Sequence, residues 1–187
     1  MRVIGLAGWS GAGKTTLLVR LIPVLRARSL RVATLKHAHH AFDVDQPGKD
    51  SWRHREAGAS EVIVSSRRRT VQIREVEEEA RLPDLLRRLS PCDLVVVEGF
   101  KREAHPKLEV YRHANGRPPL HPDDPRIVAV ASDHPFPEAG RPVVPLDAVE
   151  TVADIVLARS EPLAALLERL DPHRLDGHRL EDHGAAD

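Results

Sequence analysis

The sequence predicts an α/β fold, a mostly parallel sheet with flanking helices, and three observations carry that expectation. Short, continuously apolar runs such as Val3–Ala7, Leu94–Val97 and Ile127–Ala131 lack polar alternation, as strands covered on both faces do. Stretches with helical apolar spacing alternate with them. A glycine-rich turn, Gly8 to Thr15, joins the first strand to the first helix.

In order, Val3–Ala7 is the first strand, and Leu17, Leu18, Leu21, Ile22 and Leu25 place a helix from about Lys14 to Ala27. Pro23 lies inside that helix, removes a backbone bond and predicts a kink or local distortion. Arg31–Lys36 is the second strand, and the polar stretch His37–Lys49 follows as a loop. Asp50 or Ser51 caps a short helix to Ala57, closed by Gly58. Glu61–Ser65 and Thr70–Glu75 read as an inserted β-hairpin around Ser66–Arg69, whose three arginines form a solvated tip or, alternatively, bind phosphate.

Leu82, Leu85, Leu86 and Leu89 mark a helix with Pro83 in its first turn, leading to the strand Leu94–Val97. Lys107–Tyr111 alternates like a strand, His113–Pro125 is a proline-rich loop, Ile127–Ala131 is a strand and Val143–Val144 a short one. Val149, Val152, Ile155 and Val156 give an amphipathic helix. The domain is expected to span residues 1–158, with 159–187 supplying a C-terminal helix and a disordered tail. That tail carries His173, His178 and His183 in a polar five-residue repeat.

Composition narrows the functional classes. Of 187 residues, 28 are basic and 28 acidic, so there is no general positive field for nucleic acid or an anionic membrane. No apolar run approaches the roughly 20 residues that span a bilayer, and none precedes the glycine loop as a signal peptide. Cys92 is the only cysteine, which suits a reducing compartment. A cytoplasmic protein is the expectation.

The turn itself matches the phosphate-binding pattern G-x-x-x-x-G-K-[ST] through Gly8, Gly13, Lys14 and Thr15, with the strand before and helix after that the pattern requires. This predicts a P-loop NTPase fold. Ser10, Gly11, Ala12 and Gly13 would turn backbone N–H groups onto phosphate oxygens, aided by the helix N-terminus. Lys14 would bridge the outer phosphates and Thr15 bind Mg²⁺. Glu98, ending the apolar strand, is the expected carboxylate of the Mg²⁺ water shell, while Asp93 at the strand's other end is structural.

The loop after the second strand should face the same crevice. Lys36 and His37 are candidate nucleotide-binding residues there. Asp45 is a candidate for the Mg²⁺ shell or for positioning a water. His37, His39, His40, Asp43 and Asp45 are alternatively a transition-metal set, or merely polar. For the base, Ser132 and Asp133 follow a strand end, and a carboxylate there accepts from guanine but not adenine, which favours GTP.

Together the P-loop with Trp9, Lys36-His37-Ala38-His39-His40, Val44–Ser51, Val97-Glu98-Gly99-Phe100-Lys101 and Ala129–Asp133 resemble the molybdopterin-guanine dinucleotide biosynthesis protein B family over about residues 1–158. The resemblance implies a GTP-binding homodimer with weak Mg²⁺-dependent GTPase activity. It would assist a guanylyltransferase partner that converts molybdopterin to its guanine dinucleotide cofactor. It further assigns Gly8–Thr16 to phosphates, Glu98 to Mg²⁺, Ser132 and Asp133 to guanine, and Lys36–Ser51 to a loop beside them. The sequence offers no obvious arginine finger, so slow turnover is expected. A small-molecule kinase and a metal-insertion chaperone are the competing classes.

Overall fold

In a computed structural model of the chain, residues 1–38 and 42–171 are described. His39 and His40, and the histidines at 173, 178 and 183, lie outside them. The chain forms two compact units, Ala38–Arg81 and the remainder.

The larger unit is built on one sheet. Its strands are β1 (Arg2–Ala7), β2 (Val32–Lys36), β5 (Leu94–Glu98), β6 (Lys107–Tyr111), β7 (Ile127–Ser132), β8 (Val143–Pro145) and β9 (Glu161–Pro162), and its helices are α1 (Lys14–Ala27), α3 (Leu82–Arg88), α4 (Val149–Arg159) and α5 (Leu163–Leu170). The order β2-β5-β1-β6-β7-β8 is parallel throughout, with β9 antiparallel to β1. Strand β6 meets β1 only from Gly5 onward, and β9 occupies the start of β1 at Arg2 and Val3.

Alternation along the strands sorts side chains onto two covered faces, as period 2 requires. Ile4, Leu6, Leu94 and Val96 pack with Leu17, Leu21 and Leu25 of α1 and Val152 and Val156 of α4. Their neighbours Val3, Val95 and Val97 pack instead with Leu82 and Leu86 of α3 and Leu166 of α5. Leu21 and Leu25 are fully buried, so truncating either to Ala costs about 2–5 kcal/mol. Around β1 and β5 the sheet therefore has two covered apolar faces.

Helix α1 runs unbroken through Pro23, whose ring is exposed. The chain beyond residue 158 does not simply trail away: β9 pairs with β1, and α5 contributes Leu163, Leu166, Leu167 and Leu170 to the second core. Arg169 anchors this segment through Glu161 and the Ala104 carbonyl.

The smaller unit contains α2 (Asp50–Glu56) and the antiparallel pair β3 (Glu61–Ser65) and β4 (Thr70–Arg74). Ser66 N–H donates to the Arg69 carbonyl at 2.8 Å and closes the hairpin. Val62 is buried, whereas Ile63, Val64, Val71 and Val76 are exposed.

Candidate functional site

The phosphate loop leaves β1 at its carboxyl end. Gly8 has φ 144°, and a Cβ there would sit 2.5 Å from the Val110 carbonyl oxygen, so only glycine allows the turn beside β6. Gly13, at φ 93°, precedes α1 directly. The Asn115 amide donates to the Ser10 carbonyl at 2.9 Å, and buried Ala12 returns its N–H to Trp9. Helix α1 has no acidic residue in its first turn, so its positive end is uncompensated and suits an anion.

Lys14 Nζ donates to the Gly8 and Trp9 carbonyls at 2.9 and 3.0 Å, holding the ammonium over the loop. Partial burial lowers its pKa, Glu98 opposes that shift, and the neighbouring cations Lys101 and Lys36 reinforce it. An anion among three lysines would relieve their mutual repulsion. Trp9 flanks this group, with its indole N–H on the Pro118 carbonyl at 2.8 Å and the cations of Lys101 and Arg117 at 5.5 and 5.7 Å from its ring.

Parallel pairing sets Leu6 opposite Glu98 and Lys36 opposite Glu98, so three strand ends meet in register. Thr15 Oγ1 then lies 3.2 Å from Glu98 Oε1 and 3.5 Å from Oε2. A hydroxyl and a carboxylate this close, at the head of a phosphate loop, are oxygen donors that suit Mg²⁺, which Thr15 and Glu98 would hold. His37 N–H donates to the Glu98 carbonyl at 2.8 Å and its ring stacks on Phe100 at 4.6 Å. Gly99, φ 99°, permits this, because a Cβ there would fall 2.6 Å from His37 Cβ.

On the other side of Gly13 opens a cavity of about 870 Å³ that includes Thr16, Arg112, Asp133 and His134, with Phe136 and Leu146 in its apolar wall. Ser132 is buried, and its hydroxyl both donates to the His134 carbonyl and accepts from the His134 N–H, so it shapes the turn. Asp133 Oδ1 accepts from His113 N–H at 2.7 Å, and Oδ2 lies 3.5 Å from Arg112 Nη1. The rings of His113 and His134 stack at 4.7 Å. Arg112 and Asn115 escaped the sequence reading, although Arg112 directly follows the carboxyl end of β6, where parallel sheets gather their ligands.

Asp45 belongs to the smaller unit and is engaged there. Its Oδ1 accepts from Ser51 Oγ at 2.8 Å, Oδ2 lies 3.5 Å from Arg55, and its own N–H donates to Asp43. Arg55 also holds Asp43 and Glu75, each at 2.9 Å. Asp43 is correspondingly more acidic than usual, through the Asp45 N–H first and Arg55 second. Among the described residues no three His, Cys, Asp or Glu side chains gather as a metal set, and no helix is long and apolar enough to cross a membrane.

A mostly parallel sheet, a glycine loop leading into α1 and a strand-end acid beside Thr15 define a P-loop NTPase fold. Residues 3–133 match the family described as molybdopterin guanine dinucleotide synthesis protein B, MobB. The chain belongs to this family. It is 44% identical over 160 residues to the Escherichia coli protein named molybdopterin-guanine dinucleotide biosynthesis adapter protein, covering 83% of this chain and 91% of that one. The Haemophilus influenzae protein of the same name is 40% identical over 156 residues, 82% of this chain and 86% of its own. A crystal structure of molybdopterin-guanine biosynthesis protein B superposes with a TM-score of 0.61 at 31% identity, over 83% of this chain and 98% of that one. Bacillus subtilis MobB shares the fold, with a TM-score of 0.67 at 23% identity over 86% and 99% of the two chains.

Proposed function

We propose that the protein is a GTP-binding adapter of molybdopterin-guanine dinucleotide biosynthesis that acts beside a guanylyltransferase and hydrolyses GTP weakly. The observation that carries this reading is the presence, around the start of α1, of both the Thr15–Glu98 pair with Lys14 and a cavity whose lining includes Gly13, Thr16 and Asp133. One side offers cations and N–H groups for phosphates, the other an acceptor for a base. The names of the E. coli and H. influenzae relatives supply the pathway.

In this reading the backbone of Ser10 to Thr16 and the start of α1 receive the phosphates, and Lys14 exchanges its carbonyl partners for outer phosphate oxygens. Thr15 and Glu98 would hold Mg²⁺, and the bound ion would neutralise charge building on the phosphates. Lys36 and His37 line the loop side, and Asp133 accepts from guanine. Turnover stays slow without a donated cation at the outer phosphate.

The chain acts in the cytoplasm as a homodimer. A two-stranded sheet is marginal by itself, and the exposed Ile63, Val64 and Val71 of the hairpin favour burial against another surface. Calorimetry with GTP, GDP and ATP, with and without Mg²⁺, tests the central claim. Guanine nucleotides should bind more tightly than ATP, with Mg²⁺ strengthening GTP; equal affinities for GTP and ATP would remove the guanine assignment.

A further inference from the structure

Arg112 lines the cavity and reaches both Gly13 and Asp133. Its guanidinium packs over the P-loop, with Nη2 and Nε at 3.5 and 3.8 Å from where a Cβ on Gly13 would stand. Its Nη1 is 3.5 Å from Asp133 Oδ2. The other oxygen of that carboxylate is occupied by His113 N–H at 2.7 Å. Asp133 therefore has a partner near each oxygen before any base arrives, and a base donor reaching Oδ2 from the cavity competes with Arg112.

The exchange is easy. Both side chains are partly exposed, at 45% and 35%, and a loose pair in that setting contributes little. A guanidinium released there has a stronger partner within reach, because the backbone around Gly13 cradles the inner phosphates of a bound nucleotide and arginine pairs with phosphate through a fork of donors. Arg112 lies on the Gly13 and Thr16 side of the loop, lining the cavity with them, and not in the Lys14–Glu98 group.

We infer that Arg112 is an exchangeable counter-ion that links base recognition to phosphate binding: guanine takes its place on Asp133, and Arg112 turns to an inner phosphate of the same nucleotide. The inference rests on the guanine reading of Asp133 proposed above. It makes the pocket selective for guanine joined to a phosphate, since a nucleoside competes with Arg112 for Asp133 without giving it a new partner.

The test measures GDP and guanosine binding to the full-length protein and to its Arg112→Ala and Arg112→Lys variants, by competition against a fluorescent guanine nucleotide. Arg112→Ala should weaken GDP by about tenfold, equivalent to about 1.4 kcal/mol, while guanosine tightens because its competitor for Asp133 is gone. Arg112→Lys should recover part of the GDP affinity. Loss of GDP and guanosine binding in parallel would make Arg112 a support of the pocket wall and overturn the inference, as would no change in either. If the unsubstituted protein does not prefer GTP to ATP, the guanine reading fails and this inference with it. A guanine preference combined with parallel losses removes only the role of Arg112.

Discussion

The hydroxyl of Thr15 lies 3.2 Å from Oε1 of Glu98, across 83 residues of sequence. Strand register creates the contact, because β5 runs parallel to β1 with Glu98 opposite Leu6 and the loop then returns Thr15 over the strand ends. Glu98→Gln keeps the shape and removes the charge. GTP binding without Mg²⁺ should hold or improve slightly, since a negative group beside the phosphates is gone. The strengthening by Mg²⁺ should fall by about tenfold or more. Calorimetry in chelator and in excess Mg²⁺ measures it, and an undiminished Mg²⁺ effect would detach Glu98 from the ion.

Asp133→Asn probes the base. The amide oxygen can still accept the His113 N–H, so the turn survives, but an NH₂ group now faces donors of guanine. GTP should weaken by about tenfold or more, while ATP changes little because adenine N1 is an acceptor. Comparable losses for both nucleotides would place recognition elsewhere in the cavity.

The long elements were legible because their patterns are local. Helix α1 and strand β6 stand at the residues that their apolar spacing indicated, and Gly8–Gly13 lies between strand and helix as the motif requires. Strand β9 has two residues and no pattern, and it exists because β6 leaves the start of β1 open. Alternation marked Lys107–Tyr111 as a strand but did not reveal that Lys107 and Glu109 are buried. Lys107 is held by the Glu103 carbonyl and Asp124, and Glu109 by the Leu120 and His121 N–H groups. The pairing of Arg112 with Asp133 was hidden for the same reason: it depends on β6 lying beside β7, which neither strand's own sequence states.

Within the smaller unit, Arg55 joins the loop residue Asp43 to Glu75 beyond β4. Its guanidinium is made less acidic by these partners, Asp43 first and Glu75 next. Arg55→Ala leaves the Asp45–Ser51 bond but releases both ends of that brace. Limited proteolysis should then cut the Phe42–Lys49 segment several times faster, with the melting of the larger unit unchanged. Equal cleavage rates would show that the brace does not order the loop.

His105 gives the stability a pH dependence that can be isolated. The side chain is fully buried against Gly5, where a Cβ would stand 2.4 Å from its Nε2, and neither ring nitrogen has a hydrogen-bond partner among the described residues. Burial first, and Lys107 second, push its pKa down to about 3 from the ordinary 6.5. Between those values the unfolded chain binds a proton that the folded chain refuses. The stabilising contribution is thus complete above pH 6.5 and declines as pH falls, by about 1.4 kcal/mol per unit. His105→Leu, of similar volume and without a titrating group, should remove this slope. Urea unfolding of both proteins at pH 7.5 and 5.5 compares them, with Asp43, Asp93 and Glu161 as a common background because their lowered pKa values put their titration below that window. The original protein should lose about 1.4 kcal/mol more than the variant over that interval. Identical losses would mean that the imidazole gains a proton without leaving its place beside Gly5.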